Sequence, residues 1–67
     1  MSTSTWALRH ECGWWLALDP EEPGGIGWRA SATEAILARD PLLFAARCRQ
    51  ALDGAIRRRC QLVEVQT

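Results

Sequence analysis

The stretch TWALRHECGWWLALDP, residues 5–20, decides the fold of this 67-residue chain. Large apolar residues alternate with smaller or polar ones on both sides of Gly13, a pattern typical of two antiparallel strands joined by a tight turn. We predict these strands over residues 5–10 and 14–18. The hairpin holds three of the chain's four tryptophans: Trp6, Trp14 and Trp15.

The length of the turn fixes which face of the hairpin each side chain occupies. A two-residue loop would place Leu16 opposite Arg9, which mixes apolar and charged side chains. A three-residue loop over residues 11–13 gathers the large apolar side chains on one face and gives Gly13 the left-handed conformation such loops need. We therefore predict the three-residue loop, with a core face that pairs His10 with Trp14, Leu8 with Leu16, and Trp6 with Leu18.

The other face of the hairpin is expected to be thinner and partly solvated. It carries Ala7, Arg9, Trp15 and Ala17. Arg9 and Trp15 are then direct cross-strand neighbours, suited to a guanidinium-on-indole contact worth about 0.5–1 kcal/mol at an exposed site.

Prolines and glycines break any regular pattern after the hairpin, so we predict a loop over residues 19–30. Ser31 followed by Glu34 is a capping box, which predicts a short helix over about residues 32–39. Its inward residues would be Ala32, Ala35, Ile36 and Leu37. Asp40-Pro41 ends this helix and begins the next, because Asp is a good N-cap and Pro is tolerated at the first helical position.

A second helix is predicted over residues 41–58. Apolar residues recur along it at three-and-four spacing, while the arginines fall mostly on the other side. Gly54 is a possible stop, but the apolar stripe continues through Ile56, and basic residues favour the carbonyl end of a helix. The stripe comprises Leu43, Phe44, Cys48, Ala51, Leu52, Ala55 and Ile56.

The tail CQLVEVQT alternates and contains two valines, so we predict a third strand over about residues 61–66. Pairing along an edge of hairpin 5–18 would support two strands that are marginal alone. The expected order is β-β-α-α-β in a single domain, residues 1–67. The predicted fold class is α+β, an antiparallel three-stranded sheet with two helices on one face.

Charge is balanced overall but unevenly placed. Eight arginines and no lysine oppose eight acidic residues, and this net charge of zero weakens the case for general nucleic-acid binding. Residues 1–46 carry three arginines against six acids, whereas residues 47–67 carry five against two. Such asymmetry suits a self-complementary contact, so a homodimer is one expected assembly.

Neither a membrane span nor a secretion signal is indicated. No apolar run approaches the roughly 20 residues that cross a bilayer, and the start MSTST lacks the order of a signal peptide. We expect a cytoplasmic protein with no membrane partner. Three cysteines in such a chain do not indicate a disulfide framework.

Four residues are candidates for a metal site or a catalytic thiol: His10, Cys12, Cys48 and Cys60. Structural zinc sites present ligands in pairs about two to four residues apart, whereas Cys48 and Cys60 are twelve apart. Cys12 beside His10 has no third group to orient the pair and no oxyanion hole. We predict no metal, no cofactor and no enzymatic activity, with the cysteines as small packing residues.

A protein-binding surface is the function that these exclusions favour. Trp and Arg are enriched in interface hot spots, and the outer hairpin face presents both beside an acidic loop. The arginine end of the second helix is the other candidate face. The candidate partner-binding residues are Arg9, Trp15, Asp19, Glu21, Glu22, Arg57, Arg58 and Arg59.

A small DNA- or RNA-binding regulator is the alternative function. The two predicted helices, separated at Asp40-Pro41, would form a helix-turn-helix with the hairpin as a wing. Against this interpretation, the turn has no glycine. The second helix also begins Leu42-Leu43-Phe44, where a recognition helix carries polar side chains that read bases. Nucleic acid therefore ranks behind protein as the expected partner.

The chain resembles the small accessory proteins of tailed bacteriophages and prophages. The resemblance rests on the hairpin WALRH…GWWLALD, the GW before a capped ATEA segment, a second helix with spaced alanines and a short valine strand, and spans about residues 5–65. It implies a non-enzymatic protein that binds and modulates or inhibits a component of the host bacterial cell. That group includes inhibitors of host defence, anti-CRISPR proteins among them, and modifiers of host transcription.

Overall fold

The computed structural model describes residues 4–66 as an antiparallel sheet covered by two helices. The strands lie in the order β3-β2-β1-β4, so the predicted α+β class is right, but the sheet has four strands instead of three. The elements in chain order are β1 Ser4–His10, β2 Trp15–Leu18, β3 Ile26–Arg29, a 3₁₀ turn Ala32–Glu34, α1 Pro41–Ala51, α2 Gly54–Arg57 and β4 Cys60–Gln66.

The hairpin between β1 and β2 has the predicted three-residue loop. Arg9 lies opposite Trp15, and the His10 N–H donates to the Trp14 carbonyl at 2.8 Å. The Gly13 N–H donates to the His10 carbonyl, also at 2.8 Å, and Gly13 has φ 98°. Glycine is suited to this position because it adopts positive φ without the clash a Cβ would cause.

Beyond its tip the hairpin splays open, and the predicted pair of Trp6 with Leu18 does not form. Trp6 instead exchanges two backbone hydrogen bonds with Ala38, at 2.7 and 2.8 Å. On the other strand, the Ile36 N–H donates to the Leu16 carbonyl at 2.9 Å. Residues 35–38 therefore bridge the two strands of the hairpin where these no longer pair with each other.

The predicted helix over residues 32–39 is wrong. Ser31 does cap the segment, with its Oγ accepting from the Thr33 N–H at 3.3 Å, but only the single 3₁₀ turn follows. Ala35 already has extended backbone, φ −66° and ψ 145°. A helix would consume the backbone groups of residues 35–38, and the polar groups of the splayed strands would then be left unpaired. Tertiary hydrogen bonding overrides the local helix propensity here.

The loop predicted over residues 19–30 is wrong in part, because β3 lies within it and pairs with β2. Leu18 is opposite Ile26 and Leu16 is opposite Trp28, which places both partners on the helix-covered face. Flanking glycines hide this four-residue strand in the sequence. Gly27 has its own role, since a Cβ there would lie 2.9 Å from the Asp19 Oδ2.

The predicted helix over residues 41–58 is interrupted. Asp40 caps α1 as expected, accepting from the Leu42 and Leu43 N–H groups at 3.0 and 3.1 Å, with Pro41 in the first turn. The helix ends after Ala51, because Leu52 turns to extended backbone at φ −112°, ψ 145°. Leu52 packs against the core from that position, and α2 is a separate helix.

The core is small and lies at the centre of the sheet. Leu8 and Leu16 from the hairpin pack against Phe44 and Cys48 from α1. Residues packed around them at partial burial are Trp6, Ile26, Trp28, Ile36, Ala38, Leu52, Cys60 and Leu62. The tail strand agrees with the prediction for residues 61–66 and extends it by one, pairing with β1 along all of β4.

Two residues assigned to the core face are largely exposed. Trp14 is 48% accessible although it pairs with His10 as predicted, and Leu18, whose predicted pairing with Trp6 does not form, is 73% accessible. The helix layer explains this, because the buried residues of α1, Phe44 and Cys48, cover only the middle of the sheet. Trp15, expected to be left in solvent, is half-buried instead.

The close approach at Gly27 yields a prediction about stability. Gly27→Ala should lower the free energy of unfolding by about 1–3 kcal/mol, because the new methyl group displaces Asp19. Gly54→Ala is the matched control, since no atom lies within 4 Å of its added Cβ and alanine favours a helix. Urea unfolding of both variants checks this, and an equal loss in the two would contradict it.

Candidate functional site

The predicted contact between Arg9 and Trp15 is confirmed. The guanidinium carbon of Arg9 lies 5.7 Å from the centre of the Trp15 ring. Arg29 on β3 is the cross-strand neighbour of Trp15 on its other side. Trp15 thus lies between two arginines on the outer sheet face, with Arg9 exposed and the indole half-buried.

Of the acidic side chains in the loop, that of Asp19 is held by an ion pair. Its Oδ2 lies 2.9 Å from Arg29 Nη2, and the Asp19 side chain is only 13% exposed. The hydrogen bond from Arg29 holds the pKa of the Asp19 carboxyl below its ordinary value, and Asp19 raises the pKa of Arg29 in turn. Asp19 therefore positions the loop, whereas Glu21 and Glu22 are exposed. Arg29 was not predicted as a site residue, because the sequence did not predict β3. That strand places Arg29 beside Trp15.

The arginine end of α2 lies beside the hairpin tip. Arg9, Arg58 and Arg59 line one concavity of about 330 Å³, so the structure brings two of the candidate faces together. Arg59 Nε is 3.7 Å from Glu11 Oε1, with both side chains mostly exposed. Arg57 is half-buried in a separate cleft against β4.

An apolar groove that the sequence interpretation did not single out lies between the sheet, residues 36–40 and α1. It has a volume of about 450 Å³. Three leucines on it are widely exposed: Leu18 at 73%, Leu37 at 48% and Leu43 at 51%. The full lining is Leu16, Leu18, Ile26, Ile36, Leu37, Ala38, Arg39, Asp40, Leu43, Phe44, Arg47, Cys48 and Ala51.

The consecutive residues Leu42, Leu43 and Phe44 indicate in the sequence that part of α1 is apolar and exposed. Successive residues of an α-helix point about 100° apart, so three consecutive large apolar side chains cannot all face one core. Phe44 is buried in the core, Leu43 lines the groove and Leu42 is 83% exposed outside it. The arginines at the groove, Arg39 and Arg47, are exposed.

The hairpin tip forms a second, smaller apolar concavity. The His10 and Trp28 rings meet edge to face, with centres 5.5 Å apart at 73°. His10 Nδ1 accepts from the Cys12 N–H at 3.1 Å, which orients the imidazole within the turn. Trp14 and Ile56 complete the lining with these residues, around about 320 Å³.

The cysteines differ in their surroundings. Cys48 is buried, Cys60 is half-buried with its Sγ donating to the Ile56 carbonyl, and Cys12 is exposed, contrary to the expectation that all three pack inside. Burial raises the pKa of both Cys48 and Cys60. Within residues 4–66, no three His, Cys, Asp or Glu side chains are close enough to share a metal ion.

The fold and surfaces define a small α+β protein whose sheet carries an arginine-flanked tryptophan and an apolar groove. Comparison of the chain with protein-family models, with curated proteins and with solved structures finds no match. In the part of the chain that the structure describes, no helix has the length and apolar character needed to cross a bilayer.

Thiol reactivity should follow these surroundings. We expect one thiol of the native protein to react fast with a thiol-specific reagent, because only a thiolate attacks and burial disfavours it at Cys48 and Cys60. Cys12→Ser should remove the fast phase, and Cys60→Ser should leave it. Mass spectrometry of briefly alkylated protein measures this. A fast phase that survives Cys12→Ser would contradict the assignment.

The pair of Asp19 with Arg29 predicts a pH dependence of stability. The folded pKa of Asp19 lies below the ordinary value of 3.8, so the pair stabilises fully above that pH and is lost as the pH falls through the lower folded value. Asp19→Asn should flatten the fall of the urea midpoint below about pH 4. Glu21→Gln, an exposed neighbour, should leave that fall unchanged. Parallel curves for both variants and wild type would refute the role of the pair.

Proposed function

We propose that this chain is a non-enzymatic binding protein of the phage accessory type, which docks on a host protein in the bacterial cytoplasm and inhibits or modulates it. The observation that carries this proposal is the apolar groove with its three exposed leucines, Leu18, Leu37 and Leu43. Exposed apolar side chains gathered around a concavity mark interaction sites on small proteins. The resemblance to phage accessory proteins supports the same class of function.

The groove also indicates the chemistry of its partner. Its volume of about 450 Å³ is in the range that holds a few apolar side chains. Arg39 and Arg47 border it and are exposed, while the carboxylate of Asp40 is engaged in capping α1. The best complement is a protein segment that inserts apolar side chains and carries acidic residues on either side.

The second contact region is the outer face around Arg9 and Trp15. Trp15 is half-buried, with the Arg9 guanidinium over its ring and Arg29 as its cross-strand neighbour on β3, so its orientation is set before binding. A preorganised Trp and Arg pair loses little side-chain freedom on association. Binding through this face, together with Glu21, Glu22 and Arg58, extends the proposed interface beyond the groove.

The nucleic-acid alternative has less support. The 3₁₀ turn replaces the first helix that a helix-turn-helix would need. Of the three consecutive arginines, Arg59 lies by Glu11 and Arg57 is half-buried, which leaves Arg58 as the exposed unpaired member within residues 4–66. A salt-sensitive shift of random duplex DNA by the purified protein would favour this alternative over protein binding.

The groove proposal is tested by two neighbouring leucines. Leu43→Ser should lower capture of host proteins from a bacterial lysate at least about tenfold, because it removes an apolar contact from the groove. Leu42→Ser is the matched control, with the same chemistry one residue away and outside the groove lining. Quantitative mass spectrometry of the captured proteins measures the difference, and circular dichroism confirms that both variants fold.

Charge reversal tests the acidic character of the partner. Arg47→Glu should weaken capture of the same protein, whereas Arg58→Glu, distant from the groove, should have a smaller effect. Equal recovery by wild type, Leu43→Ser and Arg47→Glu would overturn the groove as the docking site. Loss of capture by Trp15→Ala alone would move the interface to the outer sheet face.

A further inference from the structure

We propose that the free edge of β4 pairs with β4 of a second copy of this chain, so that two four-stranded sheets join into one antiparallel sheet. β4 ends the sheet formed by residues 4–66 and contacts only β1 within it. This self-association goes beyond the proposed host binding and uses a different surface, since no residue of β4 lines the apolar groove.

The backbone groups of β4 that face the free edge can be assigned from β1. Trp6 directs its N–H and C=O to Ala38, on the side away from β4. Because alternate residues of a strand point to opposite sides, Thr5 and its odd-numbered neighbours face β4. Their partners Val63 and Val65 therefore bond inward, as the Thr5 Oγ1 bond to the Val65 carbonyl at 2.9 Å also indicates.

The backbone groups on the free edge then belong to the even-numbered residues of β4, namely Cys60, Leu62, Glu64 and Gln66. No strand within residues 4–66 pairs with this side of β4, so its donors and acceptors form a regular row, which is the template that a further strand requires. The row is also regularly spaced, because β4 pairs with β1 over seven consecutive residues without a bulge.

β4 carries few of the devices that usually protect an edge strand. Its sequence CQLVEVQ has no proline and no lysine, and Glu64 is its only charge. The opposite edge strand, β3, is four residues long, and the Asp19–Arg29 ion pair holds the neighbouring loop against it. β4 is therefore the edge that suits pairing with another chain.

Chemistry selects one register for the two β4 strands. A continuous sheet requires opposed residues to lie on the same face, so the twofold axis passes through Leu62, Val63 or Glu64. An axis at Glu64 would set two carboxylates directly opposite, which is unfavourable. An axis at Leu62 would carry Val65 and Gln66 past the start of the partner strand. An axis at Val63 pairs the whole of both strands.

That register also matches charge across the interface. It places the partner's Glu64 opposite Leu62, which lines a cleft of about 150 Å³ with Arg49 and Arg57. The two ion pairs within residues 4–66 join Asp19 to Arg29 and Glu11 to Arg59. Neither pair involves Arg49 or Arg57. The contact is made twice, because the twofold axis repeats it.

A disulfide between the copies tests the register. In this register Val63 lies opposite Val63 of the second copy as a non-hydrogen-bonded pair. The two Cα atoms are then about 4.5 Å apart, within the range of a disulfide. In a Cys12→Ser background, Val63→Cys should therefore give a covalent dimer on mild oxidation. Gln61→Cys is the matched control on the same face, since it lies opposite Val65 and about 13 Å from its own copy.

Mass in solution tests the association itself. Light scattering of the wild-type protein from about 1 to 200 µM should show the average molecular mass rising from 7.5 kDa toward twice that value. Glu64→Pro should weaken association about tenfold or more, because it removes an edge N–H that β1 does not use. Glu64→Arg should also weaken it, and adding Arg57→Glu to that variant should restore it in part.

The outcomes separate this proposal from host binding. A dimer that Leu43→Ser leaves intact, and that Glu64→Pro dissociates while the monomer stays folded by circular dichroism, is the expected result. A wild type that stays at 7.5 kDa up to the highest concentration overturns the proposal. Equal covalent dimer formation by Val63→Cys and Gln61→Cys overturns the register.

Discussion

The structure depends on the backbone hydrogen bonds that residues 35–38 make to the open hairpin. β1 and β2 meet at their tip and then diverge, which would leave polar groups of Trp6 and Leu16 unpaired beside the core. Ala38 and Ile36 supply those bonds. An unpaired buried backbone group costs about as much as a lost hydrogen bond or more, so the segment has strong reason to be extended. The chain then enters α1 from the sheet, which places Phe44 over Leu8 and Leu16.

What the sequence predicted well was determined locally. The three-residue turn followed from Gly13 and from the alternation on either side of it, and the Asp40-Pro41 start of α1 followed from capping chemistry. The β4 strand followed from its own alternation. Arg9 and Trp15 were placed together because register alone fixes cross-strand neighbours. In each case the information lies within a few residues.

What it missed was determined by distant parts of the chain. The ATEA segment has helix-forming residues and a cap, but the backbone of Ile36 and Ala38 just after it is needed by strands about 20 to 30 positions away. β3 is too short and glycine-rich to show alternation, and Gly27 is there because Asp19 packs against it. The exposure of Trp14 and Leu18 depends on how little of the sheet an eleven-residue α1 covers. The apolar groove has the same cause, because α1 leaves part of the sheet beside it uncovered.

The positions of the groove and the β4 edge are related through the sheet order. The groove is lined by β2, β3 and α1, whereas β4 lies beyond β1 at the other edge. Joining two copies at β4 would therefore leave both grooves at the outer ends of one long sheet. A dimer of that shape would present two identical docking sites, and a host assembly with repeated subunits would then be held by both at once. The second contact becomes intramolecular, which strengthens binding without any new kind of interaction. A 67-residue chain with a small core can in this way gain affinity from symmetry rather than from a larger interface.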